Sequence, residues 1–138
     1  MSEFEINGLD HVAIRVKNLE AAIGWYENVL GLKVCKLAKW GESPIFMLAG
    51  KTGVALFSAG LNDTELDPLS KNVGIDHYAF NVTRENFIKA KMRYDKLDID
   101  YEFKDHFYFH SIYTKDRDGH TVELTTLVVD EKSFYLSE

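Results

Sequence analysis

From Leu9 to Val16 apolar and other positions alternate. Val12, Ile14 and Val16 fall on one face of an extended strand, and Leu9, His11, Ala13 and Arg15 on the other. Leu19, Ile23, Tyr26 and Leu30 then recur at three- and four-residue spacing, which predicts a helix over 19–30 that Asn18 caps and Gly31 stops. Three short apolar runs follow, at 32–38, 44–50 and 53–59, with turns at Gly41 and at Gly50 to Gly53. The same order then returns. Tyr78, Phe80 and Val82 alternate, Thr83 caps a helix whose stripe is Phe87, Ala90, Tyr94 and Leu97, and strand-like runs occupy 98–103, 107–114 and 120–128. The turn before the last run is Asp116-Arg117-Asp118-Gly119.

The repetition is visible in the letters as well as in the pattern. Residues 8–16 read GLDHVAIRV and residues 74–82 read GIDHYAFNV, with Gly, Asp, His, Ala and Val in matching places. The predicted class is α+β, built from two βαβββ modules at about 8–59 and 74–128. A linker over 60–73 joins them, a tail over 129–138 follows, and the whole forms one domain, 1–138. A module this short buries its sheet poorly alone. Two copies paired edge to edge would form one curved mixed sheet with helices on the convex face, leaving the concave face for a site. Phe134, Tyr135 and Leu136 in the tail are available to dock on the body or on a partner chain.

Charge narrows the partners. With 16 basic against 22 acidic residues and a net charge of −6, the chain lacks the positive footprint of a nucleic-acid or anionic-membrane binder. The N-terminal stretch MSEFEINGLDHV has neither the basic start nor the apolar core of a leader, and no apolar run is long enough to cross a bilayer. A lone cysteine, Cys35, in the apolar stretch LKVCKLA suits a reducing compartment and reads as an ordinary strand residue. The expectation is a cytoplasmic protein with a small-molecule substrate.

The strand parities select the chemistry. If helices cover the face of Ile14 and Phe80, His11 and His77 point the other way, and on the last strand Thr121, Glu123 and Thr125 do the same. A glutamate between Val122 and Leu124 needs a cation, because a desolvated unpaired carboxylate costs several kcal/mol. Two imidazoles and a carboxylate are the donor set of a divalent-metal triad with positions left open for substrate. Fe(II) or Mn(II) leads, with Zn(II) and Ni(II) chemically acceptable. Each histidine then requires a partner for its second ring nitrogen.

The stretches GLDHVAIRV, LEAAIGWYENVLGLKV, IDHYAF and DRDGHTVEL together resemble the vicinal oxygen chelate superfamily of glyoxalases, extradiol dioxygenases, fosfomycin-resistance thiol transferases and bleomycin-binding proteins. The resemblance places His11, His77 and Glu123 on the family's metal positions. It implies a metal-dependent enzyme acting on a small substrate that chelates through neighbouring oxygens, with extradiol-dioxygenase-like chemistry in first place. Glyoxalase-type lyase or fosfomycin-type transferase activity is the alternative, and metal-free binding of the bleomycin-resistance kind a second one.

A fourth family ligand, glutamate in many glyoxalases, falls in GVALFSA on Phe57, Leu56 or Ala55, none of which binds metal. Tyr113, ten residues before Glu123, matches a tyrosine beside the metal-bound substrate, and His106 is preferred over His110 as an acid/base because His110 has the opposite parity to Tyr113. His120 is expected at the surface. The basic residues a phosphonate needs are sparse, with Lys104 and Lys132 as candidates. Relatives of this size pair as dimers, so the resemblance implies a homodimer whose metal site is either intrachain or shared.

Overall fold

The computed structural model describes residues 3–135, so Leu136 of the aromatic tail lies outside the described residues. The chain divides into two compact units, Met1–Glu65 and Leu66–Glu138.

The first unit contains β1 (His11–Val16), α1 (Leu19–Leu30), β2 (Lys33–Cys35), β3 (Ile45–Ala49) and β4 (Thr52–Ser58), in the sheet order β1-β4-β3-β2. β1 runs parallel to β4 and the other ladders are antiparallel. The Asn18 side chain accepts from Ala21 N–H, and Gly31 ends α1 in the left-handed conformation at φ 68°. The stripe is displaced slightly from the sequence reading: Ala22, Ile23, Tyr26 and Val29 are buried, and with Val16, Met47, Val54 and Leu56 they form this unit's core. β2 is shorter than 32–38 because a 3-10 turn over Ala38–Trp40 interrupts the extended run.

The second unit repeats the plan with β5 (Tyr78–Asn81), α2 (Arg84–Lys96), β6 (Glu102–Asp105), β7 (Phe109–Lys115) and β8 (Thr121–Leu127), in the order β5-β8-β7-β6, followed by the short α3 (Glu131–Phe134). Thr83 caps α2 by accepting from Asn86 N–H, and Phe87 and Tyr94 are its buried residues. Tyr94 and Phe87 lie in a core with Ile112, Val122 and Leu124. The strand expected over 98–103 begins later. Asp98 takes φ 55°, with its N–H on Asp95 O and Ile99 N–H on Tyr94 O, so these residues close the end of α2 instead of extending. At the tail Phe134 packs on Phe109, ring centroids 4.7 Å apart, and on Tyr108 at 5.6 Å.

The α+β class and the two βαβββ modules therefore stand, with the hydrogen-bonded ladders forming two four-stranded mixed sheets. No helix of the described residues is long and apolar enough to cross a membrane.

Candidate metal and substrate site

Register assigns one face of the second sheet to the site. Ala79 pairs with Glu123 across β5 and β8, Glu123 with Tyr113 and Thr125 with Ser111 across β8 and β7, and Ser111 with Lys104 across β7 and β6. Paired residues share a face of the sheet, so the alternation that puts Val122 and Leu124 in the core presents Glu123, Ser111 and Tyr113 on the other side.

At the head of β5, His77 Nε2 lies 2.9 Å from Glu123 Oε1. Its other nitrogen, Nδ1, lies 2.7 Å from Asp76 Oδ1. The second oxygen of Glu123 accepts the Ser111 hydroxyl at 2.6 Å, deep in the sheet, where Ser111 is fully buried and Glu123 8% exposed. Tyr113 meets the His77 ring edge-on at 5.6 Å between centroids, and its hydroxyl lies 2.8 Å from His106 Nε2. Burial, and then the nearby Glu123 carboxylate, push the Tyr113 phenol above its usual pKa, so it stays a proton donor. The carboxylate of Asp76 is shifted the other way, lowered by its hydrogen bond to His77.

His106 follows β6 in a tight reversal. Phe107 has φ 73°, its N–H is held by Asp105 Oδ1 at 2.9 Å, and Tyr108 N–H bonds His106 O at 2.8 Å. A non-glycine residue held there marks a conformation imposed by its surroundings, and it fixes where His106 stands. His110 faces Phe103 and lies 3.6 Å from Asp105 Oδ1, in keeping with its opposite parity to Tyr113.

A cavity of about 640 Å³ opens on this face, with Asp76, His77, Tyr113, Lys71, Lys104 and Lys115 in its wall. Lys104 lies over the Tyr113 ring, its Nζ 5.3 Å from the centroid. Lys104 alone was legible as a cation here. Lys71 comes from the linker and Lys115 from the end of β7, so only folding brings them to it, while Lys132 lies on α3 and is not part of this wall. Asp100 and Glu102 also line the cavity, giving a mixed rather than a purely cationic surface.

His11 stands in the first unit at the matching place in its own sheet. Its Nδ1 is 2.8 Å from Asp10 Oδ2, and its ring meets Phe46 edge-on at 5.0 Å. Asp10 and Asp76 are thus the partners that the two histidines required, and they were visible in the repeat as the letters before each histidine. Ser111 carried no comparable signal beyond sharing parity with Tyr113. Among the described residues no three His, Cys, Asp or Glu side chains form a tight group; the pair brought together is His77 with Glu123. His120 is half-buried rather than exposed, because its Nδ1 is held 2.8 Å from the buried Asp116 carboxylate.

The His77–Glu123 arrangement fits a cation. Both ring nitrogens of His77 face carboxylate oxygens, which is satisfied either by a doubly protonated ring or by a metal ion in place of the Nε2 proton. His77 Nδ1 and Glu123 Oε2 are already anchored by Asp76 and Ser111, so Nε2 and Oε1 remain the donors.

Residues 8–124 match the model of the Glyoxalase/Bleomycin resistance protein/Dioxygenase superfamily. The chain is 28% identical over 136 residues to the metallothiol transferase FosB of Lysinibacillus sphaericus (strain C3-41), covering 94% of this chain and 89% of that protein. A solved glyoxalase/dioxygenase from Nostoc punctiforme superposes with a TM-score of 0.76 at 18% identity, covering 94% of this chain and 97% of the other. The fosfomycin resistance protein FosX from Mesorhizobium loti does so with a TM-score of 0.64 at 25% identity, covering 94% and 99%. The extent of the family match, together with the repeated modules, shows that the chain belongs to the Glyoxalase/Bleomycin resistance protein/Dioxygenase superfamily.

Proposed function

We propose that the protein is a divalent-metal-dependent enzyme of the transferase or lyase kind, in which His11, His77 and Glu123 hold the ion and a small anionic, oxygen-bearing molecule is the substrate. The observation that carries this reading is the approach of His77 Nε2 to Glu123 Oε1 at 2.9 Å, with the remaining heteroatom of each side chain tied to Asp76 or Ser111. The near full-length similarity to a metallothiol transferase supports the metal-dependent transferase reading, and the three lysines of the cavity support an anionic substrate.

A bound divalent ion would supply Lewis acidity, polarising the substrate oxygens and lowering their pKa. Around it the chain's own groups act on the proton and the charge. Tyr113 donates its phenolic proton to a substrate oxygen beside Glu123, where negative charge grows. His106, 2.8 Å from that hydroxyl, orients it and exchanges its proton. Lys71, Lys104 and Lys115 hold the anionic end of the substrate. The choice among Mn(II), Fe(II), Zn(II) and Ni(II), and the homodimer that the family resemblance implies, belong to the same proposal.

A second reading, extradiol-type cleavage of a catechol with Fe(II), is favoured by the His106–Tyr113 pair, which offers an acid and a base beside the metal residues. Metal analysis of protein prepared without chelator is the first test. Stoichiometric divalent metal, lost in both His77→Ala and Glu123→Ala, is expected, and no metal in the wild type sinks the proposal. Turnover of thiol plus an electrophilic phosphonate or carbonyl substrate, against O2 uptake with catechols, then separates the two readings.

A further inference from the structure

We infer that Ser111 is a positioning residue that keeps Glu123 a one-oxygen donor, so that a coordination position stays open for substrate. The inference rests on the proposed function, in which Glu123 is a metal ligand. Ser111 pairs directly with Thr125 and lies diagonally from Glu123 on the same face of the β7–β8 ladder. Its Oγ is 2.6 Å from Glu123 Oε2 and 2.9 Å from Thr125 Oγ1.

A hydroxyl has one proton, and an ionised carboxylate only accepts. The Ser111 proton therefore goes to Glu123, and the contact with Thr125 is made by the Thr125 hydroxyl donating to Ser111. Donation thus converges on Glu123 from two sides, from Thr125 through Ser111 onto Oε2, and from His77 Nε2 onto Oε1 while the other His77 nitrogen faces Asp76. The last torsion of a glutamate is soft, so without Ser111 the carboxylate loses the hold on Oε2 and can turn about the oxygen that meets His77. A carboxylate with both oxygens free can chelate a cation through both and occupy the place a substrate oxygen needs. Oε2 is engaged by a fully buried hydroxyl, while Oε1 is the oxygen that meets His77.

The test uses the full chain and Co(II) alone as the probe, read by affinity, by visible absorption and by thermal unfolding. Ser111→Ala is expected to unfold cooperatively yet bind Co(II) roughly 10- to 100-fold more weakly. Its absorption per Co(II) should also fall, as higher coordination numbers give. Thr125→Val should shift both readouts the same way by less, and Ser111→Thr, which keeps the hydroxyl on a strand-compatible side chain, should restore them. Wild-type affinity and spectrum in both Ser111→Ala and Thr125→Val, with binding lost in Glu123→Ala, would overturn the inference and leave the proposed function intact. If Ser111→Ala does not fold, an unchanged spectrum in Thr125→Val has the same force. A wild type that binds no Co(II) overturns the proposed function, and the role of Ser111 falls with it.

Discussion

Ala55 occupies in the first module the place that Glu123 occupies in the second. Ala55 is the parallel partner of Ala13, two residues after His11, and Glu123 is the parallel partner of Ala79, two residues after His77. The next strand continues the match, since Ala55 pairs with Phe46 and Glu123 with Tyr113, and each of these aromatic rings meets its histidine edge-on. One module thus carries a carboxylate and a phenol where the other carries a methyl and a phenyl ring.

Ala55→Glu should install the missing carboxylate. Ala55 is 1% exposed, so without metal the new charge is buried and unpaired and should cost several kcal/mol. At one fixed metal concentration well above Kd, an added ligand that tightens Kd tenfold should enlarge the metal-induced stabilisation by about 1.4 kcal/mol over that of the wild type. The check is thermal unfolding in chelator and in Mn(II) or Ni(II). A metal-induced shift no larger in the variant than in the wild type would show that Ala55 does not face the ion.

His120 should make stability pH-dependent. Its hydrogen bond to Asp116 raises its pKa above 6.5, against an opposing effect of burial. The folded state therefore holds the proton more tightly than the unfolded one, and the stabilisation is complete below pH 6.5 and lost as pH rises through the folded-state value. Because the imidazole is 30% exposed, the contribution should stay within about 1 kcal/mol. Comparing His120→Gln with the wild type by thermal unfolding, the gap should be wider at acidic than at alkaline pH; equal gaps would contradict the assignment.

Tyr94→Phe should leave the protein as stable or make it more so. The Tyr94 hydroxyl is buried without a hydrogen-bond partner among the described residues, and burial drives its pKa upward. Removing an unsatisfied hydroxyl while keeping the ring spares its desolvation cost, of order 1 kcal/mol. Chemical denaturation measures this, and a loss of more than about 1 kcal/mol would reveal a hidden partner.

Gly53→Ala should be severely destabilising. A Cβ at Gly53 would run into the Met47 carbonyl oxygen, and because that neighbour is backbone in the β3–β4 ladder it cannot turn aside. A loss beyond about 3 kcal/mol is expected by denaturant titration. A well-folded variant of near wild-type stability would mean that β3 yields more readily than its ladder suggests.

Much of the fold was local and therefore legible. Alternation in β1 and β5, the caps Asn18 and Thr83, the stop at Gly31 and the repeated GLDHVAIRV and GIDHYAFNV are properties of neighbouring residues, and they determined the α+β class and the two modules. Parity also pointed His77 and Glu123 away from the helix face, since a strand's period of two needs no tertiary knowledge, whereas Tyr113 was singled out by the family resemblance. Where local signals competed, the reading slipped, as at Asp98, whose left-handed conformation no glycine announced, and at the 3-10 turn after Cys35.

Other features depended on register and on packing between distant segments. Sequence left Phe57, Leu56 and Ala55 open as the counterpart of Glu123, and only the β1–β4 and β5–β8 pairings chose Ala55. Lys71 and Lys115 reached the cavity by folding, and Ser111 became the partner of Glu123 because β7 and β8 align it diagonally. Alternation along each strand limits which of its residues can lie on one face. Register between strands selects which of them touch, because a hydrogen bond depends on pairing and on ångström-scale distances that periodicity does not contain.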